Sequence, residues 1–162
     1  MIKNRIQGAF HLMAVLALFA APMANADDRD DVESVINQYI DTETFDLTEQ
    51  AKLMASDRTY IANGIRYSNN DKSMALQTAG NKVITKANPD IQRISTIEDL
   101  KIRLNGNAAV ASFYRVINDT NSVENVRAGQ SAMLSIYQTG TIVLFKMKDG
   151  WKIVHTHLSP TK

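Results

Sequence analysis

The chain closes on KDGWKIVHTHLSPTK, which sets two histidines, His155 and His157, two residues apart. In a strand, residues i and i+2 share a face, so both imidazoles would project together. Groups that titrate near neutrality in that arrangement suit either a metal site or acid/base chemistry. A zinc-type site needs a third protein ligand. The remaining histidine, His11, lies in the N-terminal apolar stretch, so the third ligand would have to be Asp or Glu, and no metal is expected from this pair. Strict alternation puts Trp151, Ile153, His155 and His157 on one face and Lys152, Val154, Thr156 and Leu158 on the other.

Three other residues carry chemistry. Arg115 interrupts the apolar run SFYRVI, where a buried guanidinium calls for a carboxylate such as Glu98 or Asp99, or for a bound anion. Tyr39 lies on the apolar stripe of a helix and Tyr60 on a short β-prone run. Each presents its hydroxyl to a pocket or sits in the core with its polar tip hydrogen-bonded at the edge. No Gly-rich phosphate loop, nucleophile elbow or zinc helix occurs, and the acidic run Asp27 to Asp31 lacks the spacing and glycine of a calcium loop. No cofactor is expected.

The elements that must position these residues are legible from periodicity. Val32, Val35, Ile36, Tyr39 and Ile40 form one helical stripe, giving a first helix over about 28–43 with acidic residues at its start. Asp46 and Glu49 make a capping pattern for a short second helix, with Leu47, Ala51 and Met54 as its apolar side. Asn63-Gly64 turns a hairpin within RTYIANGIRYS. A third helix over 70–84, with Leu76, Ala79, Val83 and Ile84 inward, ends at Asn88-Pro89.

Strands follow. Leu100, Ile102 and Leu104 alternate with charged residues, and Asn105-Gly106 turns the chain into AAVASFYRVI. After a polar loop from Asp119 to about Gln130, SAMLSIYQTGTIVLFKMK reads as one bent strand with Gly140 at a bulge, and Asp149-Gly150 leads to the last strand. Met54, Met133 and Met147 read as core filler. The class is therefore α+β, a cone in which N-terminal helices pack on one face of a strongly curved antiparallel sheet.

The N-terminus carries Lys3 and Arg5, an apolar stretch from Ala9 to Ala21, and the small-residue triplet Ala24-Asn25-Ala26 before Asp27. This is the pattern of a cleaved secretory leader over residues 1–26, which makes residues 27–162 one periplasmic or secreted domain. The domain is close to neutral, so neither nucleic acid nor an anionic membrane surface is an expected partner, and no further segment is apolar enough for stable membrane insertion. With no cysteine, thiol chemistry is excluded and stability must come from packing.

The order of elements resembles the nuclear transport factor 2-like superfamily, which includes ketosteroid isomerase, SnoaL-like cyclases and the association domain of calcium/calmodulin-dependent kinase II. LNGNAAVASFYRV is similar to a strand of that association domain ending in a pocket arginine, and KDGWKIVHTHLS to its closing strand. The resemblance implies that Arg115 helps bind small carboxylates. Val143 and Leu158 stand where the association domain has two further arginines. Because a pocket arginine is replaced at Leu158, the resemblance also implies that Thr156 and Leu158 look into the cone while His155 and His157 lie outside. The reverse orientation would bring both histidines into the pocket. VINQYI resembles the isomerase helix that carries an oxyanion-hole tyrosine, here Tyr39, but the general-base position falls on Ala62.

Three functions follow as expectations. The first is non-catalytic binding of a small molecule, carboxylate among the classes, by Arg115, Tyr39, Tyr60 and Thr156. The second is an acid/base enzyme of the cyclase, dehydratase or isomerase type using His155, His157 or Tyr39. The third is an oligomerisation module. A homodimer or higher homo-oligomer is expected in each case.

Overall fold

A computed structural model describes residues 26–161. The expected leader, apart from Ala26, lies outside the described residues. The first helix, α1 (Ala26–Asp41), buries the expected stripe: Val32, Ile36, Tyr39 and Ile40 are in the core and Val35 packs against it. Its start is tied to the sheet by an Asp28–Lys146 ion pair and by Arg29, whose guanidinium donates to the Ile102 carbonyl at 3.1 Å. The single turn α2 (Thr48–Ala51) follows. Asp46 accepts from the Thr48 amide at 3.0 Å and Glu49 pairs with Lys52, so neither arm of the expected capping box forms, and Leu47, the residue before the helix, makes no side-chain cap.

Next come β1 (Met54–Ala62) and β2 (Ile65–Tyr67), joined by Asn63 and Gly64 at φ 51° and 78°. Two successive positive φ values define the tight hairpin turn that Asn-Gly favours. Tyr60 and Tyr67 face each other across this hairpin, their rings stacked at 6.0 Å.

Helix α3 (Asn70–Ala87) departs from expectation. Leu76, Ala79, Val83 and Ile84 are exposed, while Asn70, Ser73, Met74 and Asn81 are buried. The docking face combines Met74, packed into the hydrophobic core, with Asn81, which donates to the Phe45 carbonyl at 3.2 Å, an interaction no aliphatic side chain offers.

The strands β3 (Arg93–Asn105), β4 (Ala108–Thr120), β5 (Met133–Met147) and β6 (Gly150–Pro160) complete a six-stranded sheet of order β2-β1-β6-β5-β4-β3. A short helix, α4 (Val123–Arg127), interrupts the expected polar loop. The sheet is mixed, not purely antiparallel, because β1 runs parallel to β6. Alternation in sequence specifies which face a residue takes and carries no information on strand direction.

Two local features set the inner face. Gly140 is in regular register opposite Phe113 and Leu158, not at a bulge. Its missing side chain makes room for the Phe113 ring: a Cβ there would stand 2.4 Å from Cε2. The bulge of this strand pair lies in β6, where Val143 pairs with His155 and Leu144 with Ile153, leaving Val154 extra. The inserted residue reverses the alternation. Trp151 and Ile153 before it, and Thr156 and Leu158 after it, all bury on the same side. Met54 is core as expected, but Met133 and Met147 are exposed.

Candidate functional site

Beyond the bulge, polar side chains enter the inner face of β1, β6, β5 and β4 among aliphatic ones such as Leu158 and Ile117. Arg115 is 2% exposed. Its guanidinium pairs with Glu43, just after α1, and its Nη1 donates to Gln138 Oε1 at 3.0 Å, Gln138 being its cross-strand partner. The expected partners, Glu98 and Asp99, are not used. Ile97 is the β3 residue opposite Arg115, so Glu98 points to the other face, opposite Tyr114. Asp99 occupies the β3 irregularity at φ 51° and binds Lys101 at 2.8 Å. Arg115 Nε and Glu43 Oε2 remain without hydrogen-bond partners among the described residues.

A second interior arginine was not among the expected site residues. Arg58, on β1, is 1% exposed and makes no ion pair among the described residues. Its Nη1 meets only the Met54 sulfur, its Nε has no partner, and its Cζ stands 4.9 Å from the centre of the Tyr60 ring. Burial lowers its pKa, opposed by the neighbouring Tyr39 and Tyr60. Its alternation with Asp57 and its shared face with Tyr60 were readable signals. They were masked because RTYIANGIRYS read as hairpin punctuation.

Tyr39 is buried on α1, within electrostatic reach of both Arg58 and Arg115. Tyr60, mainly through burial, has its hydroxyl pKa pushed well above the usual tyrosine value, so it stays a neutral donor. Thr156 pairs with Tyr60 across the parallel β1–β6 register and is fully buried, with its Oγ1 unpartnered among the described residues. The structure thus brings Tyr39, Tyr60, Thr156 and Arg58 to one side. Tyr60 also lines a cavity of about 240 Å³ between the hairpin and α3, shared with Tyr67, Ser73, Leu76 and Gln77.

The histidines lie elsewhere. His155 is half-buried and His157 exposed on the outer face, opposite Val143 and Thr141. Desolvation, then His157, Arg58 and Arg66, lower the His155 pKa. His157 Nε2 is 3.2 Å from Ser159 Oγ. Among the described residues no three His, Cys, Asp or Glu are grouped to hold a metal ion, and no helix is long and apolar enough to cross a membrane. The outer face also carries apolar side chains among polar ones such as Ser112, Thr139 and Thr141: Val110, Tyr114 and Phe145 are exposed on it, and Tyr137 is 57% exposed.

No protein-family model matches the chain, and no curated protein matches it. Solved structures do. An NTF2-like protein with a cystatin-like fold from Novosphingobium aromaticivorans is 17% identical over 93% of this chain and 92% of its own, with a TM-score of 0.68. A protein from Catenulispora acidiphila, in complex with S-DNPA, is 14% identical over 84% and 95%, with a TM-score of 0.65. The association domain of C. elegans CaMKII is 16% identical over 85% and 100%, with a TM-score of 0.63. At such identities the likeness establishes the nuclear transport factor 2-like fold, with four helices on an open mixed sheet among the described residues, and the fold alone.

Proposed function

We propose that this chain, built on the nuclear transport factor 2-like fold, is an exported protein that binds a small molecule between its inner sheet face, the β1–β2 hairpin and α3, without catalysing a reaction. One observation carries the reading. Buried polar atoms on the inner face, Arg58 Nε, Thr156 Oγ1, Arg115 Nε and Glu43 Oε2, lack hydrogen-bond partners among the described residues. Nearly all buried polar groups in folded proteins are satisfied, and two of these, Arg58 Nε and Thr156 Oγ1, belong to residues that flank Tyr60, which lines the hairpin–α3 cleft, so a ligand there is what would complete them. The cavity's size favours a small ligand, since drug-sized molecules occupy about 300–1,000 Å³. A neighbour of the same fold was solved in complex with S-DNPA, which supports the reading by analogy.

The acid/base alternative loses its histidines, because His155 and His157 lie on the outer face and cannot reach a molecule inside. Tyr60, kept neutral by burial, suits hydrogen bonding to a ligand better than proton abstraction. An NMR titration with small aromatic acids and amides tests the proposal. Shifts confined to Tyr60, Ser73, Gln77 and Thr156 are expected; shifts only on the outer face would overturn it.

A second reading concerns assembly. We propose that the outer face, with Val110, Tyr114, Tyr137 and Phe145 exposed, pairs with a second copy of the chain. Several exposed apolar and aromatic side chains on one sheet face are what a pairing surface supplies, and the CaMKII neighbour is an association domain. Light scattering should give a dimer or larger that Tyr137→Glu dissociates; a wild-type monomer at tens of micromolar would contradict this.

A further inference from the structure

We propose that the interior site takes a small monoanion, a carboxylate head or an inorganic ion, and that Arg58 is the residue that neutralises it. This inference rests on the binding reading above and adds the charge of the ligand. The inner patch holds two buried guanidinium groups, Arg58 and Arg115, and two carboxylates, Glu43 and Asp119, but Asp119 is already bound by Arg93 at 2.7 Å. Glu43 compensates Arg115, and Gln138 occupies another edge of that guanidinium. Arg58 is left as a cation that is 1% exposed, has no acid partner among the described residues, and contacts a thioether and an aromatic face. A charge so far from water is normally paired or deprotonated, and an arginine does not deprotonate in a protein.

The surroundings narrow the class further. A guanidinium edge with a free Nε offers donors, and the neighbouring Thr156 hydroxyl offers one more. The aromatic groups beside it, Tyr39 on α1 and Tyr60 on its own strand, carry hydroxyls, and that of Tyr60 is held neutral by burial. A donor-rich, acceptor-poor site with one uncompensated positive charge fits an acceptor carrying one negative charge. A dianion would leave a net negative charge buried in its turn. Tyr60 joins the two halves of the site: its ring carries Arg58 on one face and forms the wall of the hairpin–α3 cavity. The organic part of a carboxylate would lie in that cavity, with its head directed past Tyr60 to Arg58.

The test compares charged and neutral isosteres on the purified protein in a zwitterionic buffer low in chloride. Benzoate with benzamide, and acetate with acetamide, are titrated by calorimetry and thermal melting, with sodium chloride as the inorganic arm. The proposal expects each carboxylate to bind at least tenfold more tightly than its amide. In Arg58→Met that preference falls to near unity, while the melting temperature without added anion is no lower than wild type, because an unpartnered charge has been removed. If chloride saturates with a midpoint equal to or below that of acetate, the occupant is an inorganic monoanion and the Arg58 site stands. If an amide binds as tightly as its acid, interior binding survives and the monoanion claim fails. If no acid, amide or chloride binds, both fail. The wild-type isostere comparison decides the matter even if Arg58→Met does not fold.

Discussion

Replacing Glu43 by Gln keeps the side-chain shape but removes the charge facing Arg115. The two side chains are 12% and 3% exposed, so solvent does little to screen what is lost. Removing one partner of a buried ion pair typically costs about 3–5 kcal/mol, because the other charge stays buried and unpaired. Here the glutamine carbonyl can still accept from the guanidinium, and Gln138 still binds Nη1, so the lower end applies, about 3 kcal/mol. For a domain of this size that corresponds to a fall in Tm on the order of 10 °C. Urea unfolding and thermal melts measure it, with Glu98→Gln as the control. Glu98 is exposed on the outer face, so its substitution should stay within about 0.5 kcal/mol of wild type. Glu43→Leu combined with Arg115→Met should recover most of the loss, since an apolar pair avoids the desolvation cost. A Glu43→Gln variant as stable as wild type, or a Glu98→Gln variant equally damaged, would refute this pairing.

Two further outcomes follow from the same geometry. Gly140→Ala should cost about 1–3 kcal/mol through overpacking, because its Cβ would stand 2.4 Å and 2.7 Å from Phe113 Cε2 and Cζ. Chemical denaturation in a Phe113→Leu background should show a smaller penalty, and an equal one would exclude the ring as the cause. His155 has its pKa lowered below 6.5, so the folded state binds fewer protons than the unfolded chain in that window. Stability should therefore decline as pH falls from about 6.5 toward the folded pKa. In melts from pH 7 to 5, His155→Gln should lose part of that decline; an unchanged slope would contradict the assignment.

Much of the scaffold was legible because it rests on local rules. The α1 stripe Val32, Ile36, Tyr39 and Ile40 is the core stripe, and Asn63-Gly64 is the hairpin turn. What escaped depended on contacts remote in sequence. The α3 docking face runs through Met74 in the core and Asn81 reaching the Phe45 carbonyl, not through the aliphatic residues at Leu76 and Val83. Residue parity along β6 failed because one extra residue, Val154, reverses the alternation, so Trp151 and Thr156 share a face that strict period-two counting separates.

The site divided along the same line. Arg115 was recognisable as a buried charge in an apolar strand. Its partner was not, since Glu43 lies 72 residues away and approaches from the end of a helix. Arg58 carried no local cue beyond its alternation with Asp57 and its parity with Tyr60. Its lack of an acid is a property of the folded interior.

Whether this interior accepts a small molecule is decided by a crystal structure of the protein grown with benzoate. Density is expected for one ring in the hairpin–α3 cavity beside Tyr60, with the carboxylate within hydrogen-bond distance of Arg58 and Thr156. Benzoate found only on the exposed sheet face, with the groups around Arg58 unchanged and no molecule beside them, would contradict it.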